Sequence, residues 1–503
     1  MNDTYFNYKE ILDNTVRKFS LHSSWSKKTL EYIELLSDQK KPHINKNREN
    51  LKDKCFITID GEDAKDFDDA VFCETNEGGW ILYVAIADVS HYIKYNSSID
   101  IDAKKRGFSI YFPNFVIPML PEILSNNLCS LRENEDKNVV VAKINISKNG
   151  KFDKFSFFEG IIRSKARLTY NQANKVIKNK KNSTDREVKK NILNLYSLSK
   201  VLLENRGKRN AVEFESSDMK FQFDDYDIVK NVVFNFRLES HKIIEECMIL
   251  ANIACSIYIK ENNKDCLYRI HNKPSHKKIE ELYVDLKNLG YKISKEQILK
   301  TSDINRVLKK AKENNESQLI SSIILRAMEH AEYSPNNIGH YGLSIKSYCH
   351  FTSPIRRYSD LVIHRILKEI LKKEGPTYNK KKLNKIGSTT TEQEKNIETA
   401  EREVQSTLLC YFAKQFEGNK YKAVVNSVVN FGLFISVVDA PIQGLIHISS
   451  LGKDYFIHDE EKNILIGYNT KKIYKVGDIL DVKLVKVMPE ERKVDFTVLK
   501  RKI

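Results

Sequence analysis

Residues 58–71 read TIDGEDAKDFDDAV, which puts six carboxylates (Asp60, Glu62, Asp63, Asp66, Asp68 and Asp69) within ten residues. The apolar stretch CFITI precedes them, and AVFCE and then WILYVAIADV follow. WILYVAIADV is an uninterrupted apolar run, the pattern of a strand covered on both faces. The chain must therefore hold a dense acidic loop at the end of buried strands, where sites in α/β folds usually form. Carboxylates packed this closely repel one another, and a folded chain tolerates them with a compensating cation. Hard oxygen ligands suit Mg²⁺, which keeps waters and is completed by substrate phosphates. A calcium EF-hand loop fails on position: its sixth residue should be Gly and is Lys65, and its twelfth should be Glu and is Val71. The plain alternative is a solvated acidic turn, and the bracketing strands favour the metal site. Asp60, Asp66, Asp68 and Asp69 are the candidate metal set, with Glu62 and Asp63 as solvated neighbours.

This acidity sits in a basic chain. Lys and Arg total 83 against 67 Asp and Glu, a formal charge of +16. Such an excess fits a polyanionic partner, nucleic acid or an anionic membrane surface. A lysine-rich compositional background is the plainer account. No run of 18 apolar residues is present, so no transmembrane helix is expected. The start, MNDTYFNYKEILDN, has no basic segment followed by an apolar one, so it does not read as a secretory signal. The eight cysteines contain no CxxC pair and read as reduced thiols of a cytoplasmic protein.

At 503 residues the chain is long enough for two to four domains. SWSKKTLEYIELLSDQ predicts one amphipathic helix with Leu30, Ile33 and Leu36 on one face, and KKPHINKNREN a linker. From about 185 to 415 helical patterns dominate. HKIIEECMILANIACSIYI predicts a long apolar helix, and further helices are expected through 277–332 and 354–373. Gly375 to Lys385 reads as a lysine-rich loop. EKNIETAEREVQSTLLCYFAKQF has helical spacing at Ile397, Ala400, Val404 and Leu408. After Gly418 the texture changes. YKAVVNSV, LFISVV, GLIHIS, DILDVKLVKV and RKVDFTVL are five short strands between turn signals, as in a small Greek-key barrel of the OB type.

A second constellation lies in HYGLSIKSYCHFTSPIRRYSDLVIHRIL, residues 340–367. Ser353 and Pro354 predict a helix starting at Pro354, with an apolar stripe through Ile355, Tyr358, Val362, Ile366 and Ile370. Arg356 and Arg357 then fall in its first turn, where cations cost about 0.3–1 kcal/mol. Two readings stay open. An anion such as phosphate docks there, or the arginines reach an acidic neighbour or solvent. His340, His350 and His364 make no zinc spacing and read as core or hydrogen-bonding residues.

Together, TIDGEDAKDFDDAV, LYRIHNKP and the SPIRRY segment resemble the catalytic-domain motifs of the ribonuclease II superfamily, with spellings nearest its ribonuclease R branch. The resemblance covers roughly residues 50 to 503. It implies an α/β (α+β) RNB catalytic domain with an RNA channel, followed by the all-β OB-fold barrel. The division is 1–50 helix and linker, 51–415 catalytic domain with its C-terminal helices, and 418–503 barrel. It further implies a monomeric, processive 3′→5′ exoribonuclease that takes single-stranded 3′ ends and releases 5′-mononucleotides with Mg²⁺, two ions during catalysis. Asp60, Asp66, Asp68 and Asp69 match the family's acidic set, with Asp60 and Asp69 as direct ligands and Asp68 most critical for chemistry. Arg356 matches the arginine holding the scissile phosphate, and Arg357 beside it is taken as an RNA contact. Tyr111, in FSIYFPN, matches an aromatic base clamp. Glu246 and Glu401 match residues at the terminal nucleotides. GLFISVVDAPIQGLIHIS resembles the ribosomal-protein S-one type of RNA-binding barrel, with Phe431, Phe434 and His447 at its RNA-facing positions.

The chain departs from that branch in one respect. Two cold-shock-type barrels usually precede the catalytic domain, and about 50 residues precede LKDKCFITID here. Either the protein is naturally short or the chain is a truncated form, and its hold on structured RNA is in question. A second function class, an RNA-binding scaffold with weak or no catalysis, is disfavoured because all four aspartates and Arg356 are present. A DNA nuclease is disfavoured because the motifs point to RNA, which 2′-hydroxyl contacts distinguish.

Overall fold

The apolar runs that bracket the acidic loop lie in the middle of a seven-stranded sheet. A computed structural model describes residues 7–37, 48–180, 184–214, 217–298, 300–314 and 316–499. The sheet comprises β1 (Glu49–Asn50), β2 (Ile57–Asp60), β3 (Asp69–Asn76), β4 (Gly79–Ala87), β5 (Asp136–Ser147), β6 (Phe152–Arg163) and β7 (Ala166–Thr169). Its order is β1-β6-β5-β4-β3-β2-β7. The edge pairings, β1 with β6 and β2 with β7, are parallel, and the others are antiparallel. The continuous apolar run becomes β4, whose Val84 to Ala87 are fully buried, as a strand covered on both faces requires.

Helices cover this sheet. On the Arg186–Lys208 helix the buried amide of Asn191 donates to the Cys55 and Val71 carbonyls and accepts from the Cys73 N–H. The helix is thereby pinned to those three backbone positions. The expected long apolar helix spans Glu239–Glu261. The Tyr358–Lys372 helix is fixed through charged groups: Lys368 pairs with Asp88 at the end of β4, and Arg365 pairs with Asp100. Arg48 also pairs with Asp88, so this buried carboxylate carries two cations. All eight cysteines are buried and unbridged.

Three expectations are corrected. The helix read from SWSKKTLEYIELLSDQ spans Lys27–Ser37, but Leu30 is 47% exposed, and Thr29 and Ile33 turn inward. Asp102 accepts the N–H of Ser26 at the helix entrance, and this polar anchor sets which face turns in. The side chain of Leu36 and most of the linker read at 40–50 lie outside the described residues. An additional helix spans Tyr8–Lys18. The lysine-rich stretch at 375–385 is not all loop, because Asn379 caps a helix that runs from Lys380 to Lys414. Its buried stripe extends backward from Ile397 through Thr390, Ile386 and Leu383 at the same three-to-four spacing, with the lysines facing solvent. Gly387 lies where this helix meets the Glu332–Ser334 strand; a Cβ there would come within 2.5 Å of the Tyr333 carbonyl.

All five expected C-terminal strands form: β8 (Lys420–Val429), β9 (Gly432–Val437), β10 (Gln443–His447), β11 (Ile479–Met488) and β12 (Lys493–Val498). They close as β8-β9-β10-β12-β11. Between β10 and β11 an unexpected three-stranded sheet is built from Phe456–Asp459, Ile464–Gly467 and Ile473–Lys475. Glu403 on the Lys380–Lys414 helix pairs with Arg492 of the barrel and with Lys18 of the first helix, joining the three parts. Among the described residues no helix is long and apolar enough to cross a membrane.

Candidate active site

The acidic loop starts where β2 ends at Asp60 and stops where β3 begins at Asp69. Asp68 is nearly inaccessible. Its Oδ1 accepts the N–H of Ile355 at 2.8 Å, and its Oδ2 lies 3.6 Å from Arg356 Nε. Neither Asp68 Oδ2 nor Asp60 Oδ2 has a hydrogen-bond partner, although both are buried. Burial raises the pKa of all four aspartates above the ordinary carboxylate range. At Asp60 the repulsion of Asp69 and Asp66 adds to burial, and Arg356 and Arg167 oppose it. At Asp69 burial is opposed by Arg356 and Arg357. The loop is thus short of positive charge and holds two orphaned carboxylate oxygens, which is the chemistry a divalent cation satisfies. Among the described residues no three His, Cys, Asp or Glu side chains are grouped as a metal's ligands. The aspartates are therefore not a preassembled cage. They fit a hard ion held by one or two carboxylates and completed by water and substrate oxygens.

The arginine segment corrects the sequence reading. The helix begins at Tyr358, not Pro354, and Arg357 is its extended N-cap residue. Residues 356–358 instead pair with 107–109: the Ser109 N–H donates to the Arg356 carbonyl, and the Tyr358 N–H to the Gly107 carbonyl. This tertiary pairing overrides the Ser-Pro helix-start signal. Arg356 thus sits on a turn before the helix, 44% exposed and facing Asp68, with its Nη2 on Ser353 Oγ at 3.0 Å. Arg357 is mostly buried and pairs with Asp360 at 2.7 Å. Both side chains reach an acidic neighbour, Arg357 in a tight pair and Arg356 at a distance that leaves its exposed face open to an anion. Asp360 is fully buried and also accepts the Ser353 N–H, so it braces both ends of the turn.

Tyr111 is 41% exposed; its OH donates to Asp66 at 3.3 Å, and its N–H donates to Glu401 at 2.8 Å. The structure therefore brings Glu401, Tyr111 and the acidic loop together. Glu246 is buried and paired with Arg206 at 2.8 Å, so it presents no free surface. On the barrel, Phe431 (46%) and Phe434 (42%) are exposed with ring centroids 6.0 Å apart, and the exposed His447 pairs in register with Gly432. The three histidines hydrogen-bond as expected: His364 with the Phe351 carbonyl, His350 with Tyr333, and His340 with the Leu343 N–H.

Sequence reasoning passed over Arg167, Asp360 and Tyr170. Arg167 holds the carbonyls of Gly61 and Glu62. Tyr170 stacks on His241 with centroids 3.8 Å apart, and its hydroxyl is raised by burial and by the charges of Asp60 and Asp69. None of the three carries a local spacing signal: Arg167 and Tyr170 act on segments distant in sequence, and Asp360 acts across a turn.

Comparison with known proteins accords with this geometry. The RNB domain family matches residues 48–373, and the S1 RNA binding domain matches residues 414–499. Ribonuclease R of Escherichia coli is 36% identical over 97% of this chain, and that of Aquifex aeolicus is 34% identical over 97%. The chain spans 62% of the length of the first and 70% of the second. A solved structure of Mycoplasma genitalium RNase R in complex with ribose-methylated single-stranded RNA superposes with a TM-score of 0.91 at 30% identity. That match covers 97% of this chain and 78% of the other. The family match over residues 48–373 and these relatives show that the chain belongs to the ribonuclease R family of RNB-domain proteins.

Proposed function

We propose that this chain is a processive 3′→5′ exoribonuclease that hydrolyses single-stranded RNA to 5′-mononucleotides with Mg²⁺. The observation that carries the reading is the acidic loop itself. Four crowded, charge-deficient carboxylates with two orphaned oxygens face a half-exposed arginine. Asp60 and Asp69 would hold the metal, with Asp66 and Asp68 beside them. Mg²⁺ bound there supplies Lewis acidity at the scissile phosphate and the attacking water.

The chain's own residues do the rest. Arg356 is accessible enough to meet a phosphate, and its hydrogen bond to Ser353 aims the guanidinium. Charge builds on the phosphoryl oxygens during hydrolysis, and a preorganised donor of this kind contributes about 10²–10³ in rate. Asp68 anchors the arginine turn through the Ile355 N–H, so the turn and the acidic loop keep one geometry. Tyr111 offers a ring face to a base near the 3′ end, oriented by Asp66 and Glu401. Stacking accepts any base, as an enzyme without sequence preference needs. Phe431, Phe434 and His447 would grip the strand upstream. Direct RNA contact by Glu246 or Arg357 would require opening a buried ion pair, so both are assigned to positioning. The domain division 1–50, 51–415 and 418–503, a monomeric state and a cytoplasmic location belong to the same reading.

The test uses 5′-labelled single-stranded RNA and matched DNA, with Mg²⁺ or EDTA, on the wild type and Asp68→Asn. The expected result is collapse of RNA to one short end product, lost in EDTA and in the variant, with DNA left intact. RNA that stays whole while tightly bound would sink the proposal and leave an RNA-binding scaffold.

A further inference from the structure

The acidic loop has little backbone bonding of its own; one N–H, that of Ala64, reaches the Gly61 carbonyl at 3.4 Å. Ser130 and Arg167, from outside the loop, grip its backbone. At its far end Ser130 accepts the Phe67 N–H at 3.0 Å and donates to the Lys65 carbonyl at 2.7 Å. At its near end Arg167 donates through Nη2 to the carbonyls of Gly61 at 2.6 Å and Glu62 at 2.8 Å. β7 runs parallel to β2 with Arg167 opposite Thr58, so the side chain extends past the end of β2 onto the loop. The guanidinium also lies 5.5 Å from the centroid of the Phe67 ring, so one side chain touches both ends of the loop.

The choice of partners is informative. The charge of Arg167 reaches Asp60, yet its side chain bonds neutral carbonyls. Its positive charge is left to act on Asp60. A guanidinium bonded in this way fixes backbone positions without occupying a carboxylate oxygen that an ion would need.

We infer that Arg167 is a positioning residue for the metal loop: it pins the backbone at Gly61 and Glu62 so that Asp60 and Asp66 keep their spacing, and its charge offsets their mutual repulsion. The inference rests on the metal-dependent reading above. Groups that orient ligands from outside typically set metal affinity by about 10–100-fold.

The experiment uses the full chain without RNA. Mn²⁺ binding is measured by isothermal titration calorimetry for the wild type, Arg167→Ala and Arg167→Lys. Hydrolysis of RNA is then followed against Mn²⁺ concentration. Arg167→Ala should bind Mn²⁺ about tenfold more weakly and need correspondingly more Mn²⁺ for half-maximal rate, with KM for RNA nearly unchanged. Arg167→Lys keeps the charge but not the fork, and should recover part of the loss. Wild-type Mn²⁺ affinity in Arg167→Ala, even with a lowered melting temperature, overturns the inference. Should Arg167→Ala not fold, Arg167→Lys decides: weakened Mn²⁺ binding supports the role, and wild-type binding removes it. A wild type that binds Mn²⁺ but leaves RNA intact removes the exoribonuclease reading alone. A wild type that binds no Mn²⁺ removes both.

Discussion

Asp68 and Arg356 face each other at 3.6 Å, too far for a strong ion pair and close enough to aim both at a common substrate. Arg356→Lys keeps the charge but loses the planar fork that meets a phosphate at two points. Its single-turnover rate on RNA should fall about 10²-fold, with the dissociation constant for RNA changed less than about fivefold. An equal loss in binding and rate would make Arg356 a grip on the strand instead of a group acting on the reacting phosphate. The aspartates give a second expectation. Their folded pKa values are raised above the unfolded value of about 3.9. Their contribution to stability is therefore full below that value and is lost as pH rises through the folded values. In EDTA the melting temperature should fall as the carboxylates ionise, and Mg²⁺ should restore more at pH 8 than at pH 5. Asp60→Asn should shrink that difference, which differential scanning fluorimetry can read. The aspartates and Arg356 stood out as candidates because they sit in compact motifs, and Tyr111 entered only through the family resemblance. Arg167 and Asp360 did not stand out, since their partners lie far along the chain or across a turn.

At the scale of elements, the Ser353–Arg357 turn shows where sequence patterns stop. The apolar stripe from Tyr358 to Ile370 was readable, and the Tyr358–Lys372 helix carries it. The helix start was not, because the backbone of 356–358 pairs with 107–109 and local capping chemistry loses to that pairing. The Lys380–Lys414 helix shows the opposite case: its stripe was present in the sequence, but lysines, a glycine and three consecutive threonines obscured it. Asp360 is what holds the turn, accepting from the Ser353 N–H, Arg357 and Ser359 while fully buried. Asp360→Ala leaves the Arg357 guanidinium without its partner and should cost about 3–5 kcal/mol, measured by urea denaturation. Asp360→Asn keeps an acceptor for the Ser353 N–H and should cost less. Equal losses in the two variants would mean that packing, not the ion pair, braces the turn.

For the whole molecule, the charge pattern puts an acidic centre inside a basic chain, and the barrel adds a separate surface. The five barrel strands were legible from turn signals and alternation. The three-stranded sheet inside the barrel segment was not, because its strands are only three or four residues long and lie between charged and polar stretches. Under the proposed function the barrel would contact RNA in two ways that one experiment can separate. The Phe431 and Phe434 side chains are exposed while their backbones stay in the barrel, so replacing both with Ala should leave the fold intact. Each stacked base is worth roughly 1–3 kcal/mol, so the dissociation constant for RNA should rise by about fivefold or more. Phenylalanine carries no charge and displaces no counterion, so the slope of log affinity against log salt should stay the same. Lys483 and Lys486 are exposed on β11, whereas Lys493 is occupied by Glu491. Lys483→Ala with Lys486→Ala should therefore lower the salt slope, by about 0.7 for each phosphate of a single strand that the lysines no longer neutralise. Fluorescence anisotropy at several salt concentrations, on chains carrying Asp68→Asn so that the RNA survives, measures both. A double phenylalanine variant with wild-type affinity would remove the barrel face from the RNA path, and one with an altered slope would mean that the substitution had disturbed the charged strands beside it.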